Sequence, residues 1–151
     1  MIIIKHRQNT IDQLKSCKES YGVEVDIRSF DSELVIHHDP FKKGVLFKEW
    51  IKYYKHNYLI LNTKEEGLEE ELIKIMNTRG IKNYFFLDQS FPFLIKTAKS
   101  GEKRCAIRVS EYESINTCIT LAGIVDWIWV DYFSKFPISK NEYEILKNLN
   151  Y

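Results

Sequence analysis

What most constrains this chain is a rhythm: short apolar runs of four to six residues recur between segments of helical periodicity. The strand candidates are residues 2–5, 23–28, 34–37, 58–62, 84–87, 105–109 and 127–132. Helical patterns occupy 10–21, 46–55, 68–76, 90–99, 110–121 and 140–149. Such alternation predicts an α/β fold with a largely parallel sheet.

Local signals support several of these elements. Thr10 is a natural N-cap for the first helix, Asp12 sits in its positive first turn, and Ile11, Leu14 and Cys17 form its apolar stripe. Gly22 stands where a C-terminal cap is expected. Leu72, Ile73 and Met76 make the stripe of the third helix, and Gly80 releases the chain toward the next strand. The run Glu65-Glu66 and Glu69-Glu70-Glu71 reads as a solvated helix start.

At 151 residues, 44% hydrophobic and 28% charged, the chain has enough apolar material for one soluble globular domain over 1–151. A formal net charge of +1 gives no broad basic field and argues against nucleic acid as a partner. Cys17, Cys105 and Cys118 show no Cys-x-x-Cys spacing, as expected of thiols in a reducing compartment. No apolar run reaches the roughly 20 residues of a membrane span, and the start lacks a signal-peptide core, so a cytoplasmic protein is expected.

The second strand candidate carries the sharpest chemical signal. Val23, Val25 and Ile27 alternate with Glu24, Asp26 and Arg28, which places three charges on one face. Two carboxylates so spaced suit one hard divalent cation, Mg²⁺ or Ca²⁺ rather than Zn²⁺, with water and phosphate oxygens completing the shell. The bland reading of the same pattern is an edge strand with one wet face.

Around that strand lie His6-Arg7, Asn9-Thr10, Glu24-Val25-Asp26 and His38-Asp39-Pro40, with a weaker continuation at Leu61-Asn62-Thr63-Lys64. Their order and spacing resemble the glycerophosphodiester phosphodiesterase family of phospholipase C-like barrels. The resemblance implies a TIM-barrel-like (β/α) barrel. About 250 residues is typical of the intact fold. This chain has room for about six or seven βα units, so the expected barrel is incomplete, built with very short connections, or covered on its open side by a second subunit.

The same resemblance implies His6 and His38 as the acid/base pair, their individual roles unassigned, and Arg7 and Lys64 as phosphate-binding groups. It makes Glu24, Asp26 and position 62 the cation ligands, with Asn62 standing where the family carries Glu. Gln8 likewise replaces the Glu before Asn-Thr, and the loop that normally follows His-Arg is absent. From their place at later strand ends, Asp88 or Asp131 is expected to replace the missing ligand, Arg108 to contact an anionic substrate, and Trp129 to offer a stacking surface. His56 is expected at the surface. Two functions are expected: a metal-dependent phosphodiesterase acting on a glycerol- or sugar-linked small molecule, or a degenerate barrel serving as a phosphate-ligand binding or assembly module.

Overall fold

The computed structural model describes residues 1–149 and 151. The chain forms two units, Met1–Ser90 and Phe91–Tyr151. In the first, β2 (Gly22–Phe30) lies at the centre of a mixed sheet ordered β4-β3-β2-β5-β6, with β1 (Ile4–Lys5) added beside the start of β2. Here β3 is Glu33–Ile36, β4 Val45–Leu46, β5 Tyr58–Thr63 and β6 Tyr84–Leu87. Strands β1, β5 and β6 run parallel within the sheet, whereas β3 and β4 enter as antiparallel partners.

This arrangement overturns the expected barrel. The described strands make an open six-stranded sheet and a separate two-stranded one, with no closed barrel among them. The cause lies at Asp31 and Ser32, whose φ angles of 50° and 63° turn the chain sharply enough for Phe30 to pair with Glu33. Left-handed φ at both central residues is the hairpin geometry that matches strand twist. The chain therefore folds straight back on β2, and β3 takes an edge that a parallel neighbour would occupy in a barrel. A second subunit closing an unfinished barrel loses its ground with it.

Helix α1 (Ile11–Ser16) begins as expected: Thr10 and Gln13 form a reciprocal capping box. It ends earlier, at Ser16, where Cys17 turns to extended backbone as the C-cap, and Gly22 belongs to β2 rather than to a cap. A Cβ at Gly22 would come within 2.2 Å of Ile4 Cδ1 and 3.1 Å of Tyr58 Cβ, so glycine is what lets β1 and β5 flank the strand. Helix α2 (Phe47–Trp50) and a 3₁₀ turn (Ile51–Tyr53) bury Phe47, Trp50 and Ile51. Helix α3 (Glu69–Arg79) buries Leu72 and Met76 and stops at Gly80, which adopts φ 67°.

The second unit comprises α4 (Phe91–Lys99), β7 (Ala106–Val109), α5 (Ile115–Leu121), β8 (Trp127–Val130) and α6 (Lys140–Lys147). Strands β7 and β8 are parallel, joined through α5. Ile107, Val109, Cys118, Leu121 and Val125 are buried there. No helix among the described residues is long and apolar enough to cross a membrane.

Candidate functional site

The site is built on a gap in the edge of β2. Strand β1 pairs with Gly22 and Val23, and β3 pairs from Ile27 onward. Between them the edge is met by irregular chain: Gln8 N donates to Glu24 O at 2.8 Å, Asp26 N donates to Asn9 Oδ1 at 3.1 Å, and His37 N donates to Asp26 O at 3.0 Å. The histidine-bearing segments are thus held against the strand by its own unspent backbone groups. Trp50 fixes one of them further, donating through Nε1 to Gln8 O at 2.9 Å.

On the other edge, β5 pairs with β2 throughout residues 22–27, which makes β2 an interior strand and disposes of the wet-edge reading. Glu24 and Asp26 are both fully buried. Ionised carboxylates are tolerated in such a place only with partners. Glu24 Oε2 accepts from Arg7 N at 2.6 Å and lies 3.3 Å from His6 Nε2, while Oε1 accepts from Asn62 Nδ2 at 2.8 Å. Arg7 reaches this position with φ 52°, an uncommon backbone state for a bulky residue.

Asp26 is held differently. Its Oδ2 accepts from Asn9 Nδ2 at 2.8 Å, so one Asn9 amide engages both the backbone and the side chain of Asp26. Its Oδ1 lies 3.4 Å from Lys64 Nζ with no aligned hydrogen bond. Lys64 in turn donates to Asp88 Oδ2 at 2.9 Å. Arg28 ties neighbouring segments together through Nε to His38 O and Nη1 to Lys64 O, both at 3.0 Å.

His38 stands outside this buried cluster, 2.9 Å through Nδ1 from Asp39 Oδ1. That hydrogen bond is the main reason the Asp39 carboxyl sits below its ordinary range. His37 accepts from Asp39 N through Nδ1 at 3.0 Å, which rigidifies the loop. Both histidines line an open cleft of about 670 Å³ with Arg7, Asn9, Thr10, Gln13 and Lys43. Arg7 and Asn9 belong to the cleft wall and also touch Glu24 and Asp26, so the two regions adjoin.

No family model and no curated protein matches this chain.

Among the described residues no three His, Cys, Asp or Glu side chains form a metal cluster. What the site offers a cation is a pair of buried oxygens without hydrogen bonds, Asp26 Oδ1 and Asn62 Oδ1. They stand on register-paired residues of adjacent strands. A hard cation bound by oxygen atoms would match the unpartnered Asn62 Oδ1 and would compete with the Lys64 ammonium, 3.4 Å away, for Asp26 Oδ1. Oxygen atoms are the donors that Mg²⁺ and Ca²⁺ take.

The remaining expected residues belong to other elements of the chain. Arg108 and Trp129 belong to the second unit, opposite each other on β7 and β8, and Arg108 Nη1 donates to Asp131 Oδ2 at 2.9 Å. His56 is buried, not exposed: Nε2 lies 3.2 Å from Cys17 O and the ring packs beside Tyr54. Asn9 is the residue the sequence reading left without a role. Its only signal was its place in the Asn-Thr pair before α1, because the Asp26 contact spans seventeen positions.

Proposed function

We propose that the first unit is a phosphodiesterase site, assisted by a divalent cation and divergently related to the glycerophosphodiester phosphodiesterases. One observation carries the reading most: the fully buried Glu24 and Asp26 carboxylates adjoin a cleft whose wall holds Arg7 and His38. A cation bound at Asp26 and Asn62 would neutralise charge on the phosphate and act as a template for attack.

The residues of the chain supply the rest. Glu24 Oε2, 3.3 Å from His6 Nε2, orients that ring, and Asp39 Oδ1, 2.9 Å from His38 Nδ1, orients the other. With Nδ1 of His38 directed at a carboxylate, its Nε2 is left to take or deliver a proton. The Arg7 guanidinium can pair with phosphate oxygens in the cleft through its planar fork. Lys64, tied to Asp26 and Asp88, supplies a fixed positive charge. Three free thiols suit a reducing compartment such as the cytoplasm.

A second reading follows from Glu24, whose two oxygens already accept from the protein's own N–H donors. That satisfaction favours a phosphate-binding module without turnover. The deciding experiment measures alcohol or phosphate release from glycerophosphodiesters and nucleotide-linked polyols, with Mg²⁺, Ca²⁺, Mn²⁺ or EDTA, for the native chain and for His6→Ala and His38→Ala. Turnover that needs cation and falls about 10²–10⁴-fold in each variant supports the enzyme. Silence across the panel, with no heat of cation binding, supports the module.

A further inference from the structure

The cleft beside the carboxylates is larger and more basic than one phosphodiester requires. Its lining includes Arg7, His37, His38 and Lys43, together with the uncharged polar side chains of Asn9, Thr10 and Gln13. No carboxylate is among the lining residues, although Asp39 bonds His38 from beside it. This is uneven in a chain whose 22 basic residues nearly balance 21 acidic ones. Ile36, Gly44 and Val45 supply an apolar wall. A volume of about 670 Å³ is that of a site for a whole small molecule.

The segment carrying Lys43 and His37 is held in place. His37 N is bonded to Asp26 O, and a Cβ on Gly44 would come within 2.2 Å of Ile36 O, so the returning chain lies hard against the end of β3. Lys43 is thereby carried on a backbone that packing fixes. Its charge is additional to the Arg7, His6 and Lys64 groups that serve the reacting phosphate.

Resting on the phosphodiesterase reading, we propose that the ligand carries a second anionic group, a phosphate or pyrophosphate oxygen cluster, which binds at the Lys43 and His37 end of this cleft. The substrate class is then a phosphodiester whose alcohol is itself phosphorylated, or a diphosphate-linked compound, in preference to an uncharged alcohol ester.

The test is calorimetric titration of the full chain in EDTA with inorganic phosphate and with inorganic pyrophosphate, for the native protein, Lys43→Ala and Lys42→Ala. Lys42 is the control because it neighbours Lys43 and is not part of the lining. The expected result is pyrophosphate binding at least about tenfold tighter than phosphate, an advantage that shrinks about fivefold or more in Lys43→Ala and holds within about twofold in Lys42→Ala. Equal binding of the two anions, or equal losses in both variants, overturns the proposal. Tight pyrophosphate binding without turnover in the diester panel leaves this inference standing and removes the enzyme reading. Turnover with no pyrophosphate preference does the reverse.

Discussion

Asp26 and Asn62 face each other across β2 and β5, both buried, and each presents an Oδ1 that no hydrogen bond reaches. The Asn62 amide nitrogen is meanwhile spent on Glu24. In the proposed cation-assisted site, position 62 sets whether these oxygens stay paired within the protein or take a cation.

Asn62→Asp tests that division. The substitution removes the donor to Glu24 and adds a third carboxylate, which without cation costs about 2–4 kcal/mol of stability. Urea unfolding in EDTA should show the loss, and millimolar Mg²⁺ or Ca²⁺ should recover much of it. A loss indifferent to both cations would mean that these oxygens do not form a cation site.

Gly44→Ala tests the packing behind the cleft. Its new methyl group would meet Ile36 carbonyl atoms at 2.2 and 2.7 Å, and backbone cannot yield as a side-chain tip can. A stability loss of about 1–3 kcal/mol is expected from overpacking, together with weaker anion binding. Thermal unfolding and phosphate titration on the same sample check both.

Glu111 predicts a pH response in the second unit. Its carboxylate accepts from the backbone N–H groups of Phe133, Ser134 and Lys135 at 3.2, 2.6 and 2.7 Å. Those bonds, led by Lys135 and Ser134, push its pKa down to about 2 from 4.5. Because the folded value is the lower one, the stabilisation is complete above pH 4.5 and is lost as pH falls through 2. Amide chemical shifts at 133–135 should titrate with a midpoint near 2 and lose that response in Glu111→Gln. A midpoint near 4.5 would show that the clamp is not closed.

The three cysteines should separate by reactivity. Cys105 and Cys118 are buried, and burial pushes the Cys118 thiol up to about 11, whereas Cys17 is only partly covered. A disulfide reagent at pH 8 should label one thiol readily and two only after denaturation. Fast labelling of all three would contradict this packing.

Much of the secondary structure was legible because its signals are local. Tyr84–Leu87 has the predicted bounds, Thr10 caps α1, and Gly80 ends α3. The alternation of Glu24 and Asp26 was legible for the same reason. Strand pairing was not, since a short apolar run does not encode its neighbour. A hairpin-like extra strand was expected, but Asp31-Ser32 lacks the glycine that usually marks a two-residue hairpin, so its place against β2 was not legible. Gly22 was misread because its close approach to Ile4 and Tyr58 exists only after three strands meet. Asn9, Asp26 and Lys64 likewise become one cluster only through that meeting.

Arg7 shows what the chain has forgone. At φ 52° a glycine would sit without steric penalty, and an arginine there costs about 1 kcal/mol or more. Its backbone bond to Glu24 would survive the exchange, since the donor is the peptide N–H. An optimiser of thermal endurance alone would therefore choose Arg7→Gly. Such a variant should match or exceed the melting temperature of the native chain while losing phosphate affinity, and the gap between those two measurements would price the guanidinium.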